Sequence, residues 1–225
     1  MLMFDGYQVQ GVIFDMDGLI IDNSHHYKRA YQQSGKILGY DINNTLYNCF
    51  LGISHEVCTQ ILLNTFGQDF PVVKYTAQVT QEYERLIQNE QQIFQPGFEE
   101  LFAFLRTQLI KLGLATSSNQ TEVQLNFDGT DYLKVFQAIL TQESVTKGKP
   151  HPAMYQQAVT RLAIDPAQTL VLEDSNNGMR SAIAAGCKAV MVPSLASPEP
   201  DVKEKAFLIT ESLQDLLPLF SVKMP

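Results

Sequence analysis

Apolar and polar positions along this chain repeat on two different periods. Short apolar runs of strand length recur at Val12–Phe14, Leu112–Ala115, Ala138–Leu140, Thr169–Leu172, Ala189–Val192 and Ala206–Ile209. Between them lie segments whose apolar residues stand three and four apart, the period of an amphipathic helix: Gly97–Lys111, His151–Ala163, Asn176–Ala185 and Ser212–Leu219. Strands alternating with helices predict βαβ units and a single parallel sheet, hence an α/β fold. From Asp22 to about Gln92 the strand runs stop and four helical stretches replace them: Ser24–Leu38, Asn44–Phe50, Ser54–Phe66 and Pro71–Asn89. That change of period predicts a helical insertion after the first strand, and Pro96-Gly97 marks the return to the sheet. The expected organisation is a Rossmann-like core formed by residues 1–21 and 93–225, with an inserted α-helical domain over 22–92.

Composition narrows the partners. The chain has 225 residues, 45% of them apolar, enough to bury a full core. Its net charge of −8, with no cluster of Lys and Arg, argues against binding a phosphate backbone, so nucleic acid is not expected as a partner. No apolar stretch approaches the ~20 residues of a membrane span, and the start Met1-Leu2-Met3-Phe4-Asp5 lacks the pattern of a signal peptide. Cys49, Cys58 and Cys187 are odd in number and widely spaced, which fits reduced thiols and a cytoplasmic location.

The chemistry concentrates where apolar runs end. Gly11-Val12-Ile13-Phe14 leads into Asp15-Met16-Asp17-Gly18, which sets two carboxylates on one face at the tip of a buried strand. Ligands of open parallel sheets bind beyond the carboxyl ends of the strands, and Gly18 lets backbone approach such a ligand. An EF-hand is excluded, since its fifth and twelfth positions would be Leu19 and His26. After the next strand run comes Thr116-Ser117-Ser118-Asn119, whose hydroxyls and N–H groups suit either a bound phosphate or a plain helix cap. Lys149 stands before Pro150 at the head of a helix, where it either neutralises a phosphate or is simply solvated. Glu173-Asp174 ends another strand, with Asn177-Gly178 behind it, and there acids also serve as helix caps.

These four groups, in this order, resemble the four motifs of the haloacid dehalogenase superfamily of phosphoryl-transfer enzymes, over nearly the whole chain. The inserted helices are similar to that superfamily's small α-helical cap, which in the sequence reading can close over the site as a lid. Gly18-Leu19-Ile20-Ile21-Asp22, Ala115-Thr116-Ser117-Ser118 and Leu172-Glu173-Asp174-Ser175 are similar to the branch holding β-phosphoglucomutase and sugar-phosphate or pseudouridine-phosphate phosphatases. The resemblance implies Asp15 as nucleophile forming an aspartyl-phosphate, Asp17 as general acid and base, and Thr116 and Lys149 as phosphate-stabilising catalytic groups. It implies Mg²⁺ held by Asp15, the Asp17 carbonyl, Asp174 and Glu173, the last directly or through water. Gly18, Ser117, Ser118, Asn177 and His55 are the expected substrate contacts, and the substrate is a small phosphorylated metabolite.

The same motifs serve a phosphatase and a phosphomutase, and the inserted helices discriminate. Where the mutases carry a His in the first cap helix this chain has Tyr27, and where Arg follows their Gly-apolar-Ser turn, Gly52-Ile53-Ser54 is followed by His55. The expected function is therefore Mg²⁺-dependent hydrolysis of a sugar, polyol or nucleoside phosphate, with a phosphomutase as the alternative and a non-enzymatic metal- or partner-binding member third.

Overall fold

The computed structural model describes residues 1–50, 55–90 and 92–222, and of residues 55 and 56 only the backbone. In chain order, β1 (Leu2–Phe4), β2 (Tyr7–Gln8) and β3 (Gly11–Phe14) precede four helices, α1 (Ser24–Leu38), α2 (Asn44–Asn48), α3 (His55–Phe66) and α4 (Val72–Asn89). The chain continues through α5 (Phe98–Arg106), β4 (Lys111–Ala115), α6 (Gln120–Asn126), β5 (Ala138–Leu140) and α7 (Ala153–Leu162). It ends with β6 (Thr169–Glu173), α8 (Asn176–Ala184), β7 (Lys188–Met191), α9 (Pro200–Lys205), β8 (Leu208–Ile209) and β9 (Phe220–Val222). Two compact units result: Met1–Asp22 together with Ile93–Pro225, and Asn23–Gln92.

In the first unit six strands form a parallel sheet in the order β5-β4-β3-β6-β7-β8. Side chains of successive strand residues leave on opposite faces, and the packing shows it. Val12, Phe14, Leu112, Leu114, Leu170 and Leu172 join one core with Phe98, Leu101, Phe102 and Leu105 of α5. Ile13, Ala115, Val171, Ala189 and Met191 join the other, with Met154, Tyr155, Ala158 and Leu162 of α7 and Met179 and Ala182 of α8. Because helices cover both faces, the strands read as unbroken apolar runs in the sequence.

Three sequence expectations change. Ser212–Leu219 is not a crossover helix but two 3₁₀ turns, Leu213–Asp215 and Leu217–Leu219. Pro218 lacks an N–H and clashes with the preceding turn, so the three-and-four apolar spacing there cannot become an α-helix. The last strand of the sheet shortens from Ala206–Ile209 to Leu208–Ile209. A small antiparallel sheet, β2-β1-β9, escaped the sequence reading because strands of two or three residues carry no measurable alternation.

In the second unit α1 and α4 pack along each other. Tyr75, Val79, Tyr83, Leu86 and Ile87 of α4 are buried at helical spacing, and α1 buries His26, Ala30, Ser34 and Gly35, the last packed against Ile42. Tyr31, Tyr47, Phe50, Phe70 and Tyr75 fill the remainder with tilted and edge-on ring contacts.

Candidate active site

β3 lies between β4 and β6, and chain order runs outward from it in both directions, so its carboxyl end is a topological switch point. Asp15 sits one residue beyond β3. Its N–H donates to the Leu172 carbonyl at 3.0 Å, which extends the ladder and fixes where the carboxyl group starts. The loop then doubles back: the Gly18 N–H donates to the Ile21 carbonyl at 2.9 Å, and the Gln95 amide donates to the Gly18 carbonyl at 2.9 Å. Gly18 has φ +84°, and a Cβ there would strike the Asp174 carboxylate and the Ser194 hydroxyl. Glycine is required on both counts.

Lys149 is the hub. Its ammonium has three protons. They go to Asp15 Oδ1 at 2.5 Å, Glu173 Oε1 at 2.6 Å and the Ala115 carbonyl at 3.0 Å. Only 6% of the Lys149 side chain is exposed, so a plain solvated lysine is ruled out. Burial opposes its charge, but Asp15 and Glu173 outweigh that and hold its pKa well above the ordinary lysine value. The Asp15 carboxyl is pushed well above the carboxylate range by burial, with Glu173, Asp174 and Asp17 adding repulsion and Lys149 pulling the other way. Half-buried Asp174 is pushed up to about 7 by desolvation and by the neighbouring Glu173, while a hydrogen bond from the Ser194 hydroxyl works against the rise. One carboxylate oxygen from each of Asp15, Glu173 and Asp174 lies within 4.8 Å of the others. Three acids against one lysine leave two negative charges in excess, which explains why two of the acids are driven toward protonation.

Glu173 is wholly buried and multiply held. Oε1 also accepts from the Tyr155 hydroxyl at 2.7 Å, and Oε2 accepts from the N–H groups of Asp174 and Ser175 at 3.1 Å and the Ser175 hydroxyl at 3.0 Å. A Cβ on Gly178 would collide with this carboxylate, so the start of α8 must carry glycine there. The cap of α8 is Ser175, whose hydroxyl accepts from the Gly178 N–H at 3.0 Å, so neither Glu173 nor Asp174 is needed as a helix cap.

Of the two roles the sequence left open for Thr116–Asn119, the structure shows the helix cap, at Asn119. Asn119 caps α6 reciprocally with Glu122, at 2.8 and 2.9 Å. Thr116 and Ser118 instead donate their hydroxyls to Asp17 Oδ2, at 3.0 and 2.6 Å, and Ser117 is exposed. Asn177 makes a long contact, 3.5 Å, with Arg180 one turn on. The His55 side chain lies outside the described residues.

Sequence reasoning missed Tyr155 and Ser194. Tyr155 stands at core spacing in a helix and reads as packing, while its hydroxyl shares Glu173 Oε1 with Lys149 and its ring lies 5.1 Å from the ammonium. Ser194 follows β7 in the way that polar residues follow β3, β4 and β6, and that repeat was the available signal. Tyr155→Phe removes one hydrogen bond to a buried charge and loosens Lys149; the expected loss is roughly 1–2 kcal/mol, about tenfold in kcat, with KM nearly unchanged in steady-state kinetics.

Residues 12–192 match the model of the haloacid dehalogenase-like hydrolase family, and the chain belongs to that family. It is 29% identical over 182 residues to a phosphorylated carbohydrates phosphatase of Thermotoga maritima, covering 81% of this chain and 84% of the relative. It is 28% identical over 193 residues to the β-phosphoglucomutase of Bacillus subtilis, covering 82% and 83%. The fold is shared with the crystal structure of CbbY from Rhodobacter sphaeroides in complex with phosphate, at a TM-score of 0.82 and 22% identity, over 93% of this chain and 97% of that one.

Proposed function

We propose that this chain is a Mg²⁺-dependent phosphatase that hydrolyses a small phosphomonoester, a sugar, polyol or nucleoside phosphate, through an aspartyl-phosphate on Asp15. The observation that carries the reading is Asp15 clamped by Lys149 through one oxygen, with Asp17 two residues on, held by Thr116 and Ser118. Asp15 attacks phosphorus with a carboxylate oxygen while the bond from phosphorus to the leaving alcohol breaks and Asp17 gives that alcohol its proton. Asp17, now ionised, takes a proton from water, whose oxygen attacks phosphorus and releases phosphate and the Asp15 carboxylate. Thr116 and Ser118 keep Asp17 aimed through both steps. Lys149 offsets the charge of nucleophile and phosphate without moving, since all three of its protons are already placed.

The donor set fits the metal. Asp15 and Asp174, with Glu173 beside them, offer only oxygens, and their two excess charges match one divalent ion. Asp15, the Asp17 carbonyl and Asp174 would hold Mg²⁺, with Glu173 in contact or behind a water; when bound, the ion neutralises developing charge on the phosphoryl oxygens. Chelator should therefore reduce turnover to background, and Ca²⁺, with its looser coordination, should not restore it. A pH test follows from Asp174. Its pKa rises from an ordinary 3.8 to about 7, so the folded chain binds more protons than the unfolded one between those values and stability falls as pH rises across that window. The rise corresponds to about 4 kcal/mol against the fully ionised form. Thermal unfolding in chelator should show a lower Tm at pH 8 than at pH 6, and Mg²⁺ should narrow the gap.

A small phosphorylated metabolite as substrate is supported by the name of the Thermotoga maritima relative. The mutase alternative is supported by the Bacillus subtilis relative. Against it stands Tyr27, whose ring stacks on Tyr83 at 4.1 Å and 11°, an aromatic pair with no basic nitrogen where the mutases carry a His. With Tyr27 in place of that His, the grip on a second phosphate is weaker, so a bisphosphate intermediate escapes more readily and water takes the phosphoryl group. Incubation with β-glucose 1-phosphate, with and without the 1,6-bisphosphate, decides the matter: free phosphate should outpace glucose 6-phosphate, and the reverse order restores the mutase.

A further inference from the structure

We propose that the helical unit carries a cation site of its own, built by His25, His26 and Glu90 and suited to Zn²⁺ or a similar borderline transition metal. His25 and His26 lie in the first turn of α1 and Glu90 directly follows α4, so a cation there would tie the start of one packed helix to the end of the other. One potential ligand atom from each of the three residues lies within 4.8 Å of the others. His26 Nε2 and Glu90 Oε2 are 3.2 Å apart, close to the ~3.3 Å that separates two ligands of a tetrahedral zinc bound at about 2.0–2.1 Å. The His25 ring lies against the His26 ring, with centroids 3.8 Å apart.

The protonation states suit a metal. Ligands must be deprotonated. Burial and the neighbouring His25 hold His26 below the ordinary histidine range. The Arg29 hydrogen bond holds Glu90 below the carboxylate range, so it is ionised. His26 has no exposed surface, and among the described residues its Nδ1 has no hydrogen-bond partner. A cation on Nε2 would place the ring proton on Nδ1, where no acceptor among the described residues receives it, and that weakens the site. Arg29 donates to Glu90 Oε1 at 2.7 Å and to Oε2 at 2.6 Å. If a cation takes Oε2, Arg29 retains Oε1 and orients the carboxylate, as partners of ligating carboxylates commonly do. Its charge opposes the cation, so the site is weaker than a closed structural zinc site. Two imidazoles and one carboxylate leave a fourth position for water. They also discriminate against Mg²⁺, which prefers oxygen donors throughout.

The test is isothermal titration of the full chain with Zn²⁺ in saturating Mg²⁺, which separates this site from the carboxylates of the sheet unit. Wild type and Asp174→Asn should each take up one Zn²⁺ with affinities within a few fold. Glu90→Gln and His25→Gln should bind at least tenfold more weakly, and Zn²⁺ should raise the Tm of wild type but not of Glu90→Gln. His25 and Glu90 are both partly exposed, so these variants test the site even where a change at buried His26 would unfold the unit. Absence of Zn²⁺ uptake by wild type, uptake lost in Asp174→Asn, or uptake unchanged in Glu90→Gln and His25→Gln would each overturn the proposal.

Discussion

Asp15→Asn should lower turnover by at least about a thousandfold, ~4 kcal/mol or more in barrier, because the proposed mechanism loses the group that attacks phosphorus. The fold should survive the change. An Asn carbonyl oxygen in the place of Asp15 Oδ1 still accepts from Lys149, and one of the acids that burial and mutual repulsion drive toward protonation has been removed. The ionised Asp15 carboxylate costs stability in the metal-free protein, so in chelator at pH 8 the variant should melt no lower than wild type. Kinetics beside a thermal melt read both effects. A variant that is inactive and also melts much lower would mean that Asp15 serves the fold first and the chemistry second.

Lys149→Ala is expected to have the second largest effect, and it should damage both properties. Loss of one preorganised charge contact in a buried site costs on the order of 2–4 kcal/mol of transition-state stabilisation, about 30- to 1,000-fold in kcat/KM. Breaking a buried ion pair from one side typically costs about 3–5 kcal/mol of stability, because the partners are left as unpaired charges. Asp15 and Glu173 are those partners. Asp15, already pushed toward protonation, can escape by taking up a proton, so the deficit in Tm should be larger at pH 8 than at pH 6. Lys149→Arg should not rescue activity, since a planar guanidinium cannot reproduce three bonds diverging from a single nitrogen in a slot with 6% exposure. An Ala variant within tenfold of wild type would remove Lys149 from the site.

What was legible in the sequence was the set of strand ends. Asp15, Thr116 and Glu173-Asp174 each close an apolar run, and a parallel sheet puts all such ends on one edge, so linear order translated directly into proximity. Lys149 was legible through its place at the head of α7, but its three acceptors were not, since they come from three other segments. Tyr155 was hidden because a helix-spaced aromatic has the same pattern whether or not its hydroxyl reaches a charge. The aim of Thr116 and Ser118 at Asp17, with Asn119 turned to the helix, is a matter of side-chain direction at adjacent residues that share one composition. Ser212–Leu219 misled because apolar spacing was weighed above Pro218, whose missing N–H decides the local structure.

The central claim is that Asp15 becomes phosphorylated and that Asp17 governs both the entry and the departure of the phosphoryl group. Acid-quench trapping tests it directly: wild type, Asp15→Asn and Asp17→Asn are mixed with Mg²⁺ and a phosphomonoester carrying an activated leaving group. Each is quenched over time, and the acyl phosphate is mapped by mass spectrometry. A transient adduct on Asp15 is expected in wild type, none in Asp15→Asn, and in Asp17→Asn an adduct that forms slowly and then persists. Equal adduct in both variants, or an adduct on another residue in wild type, would contradict it.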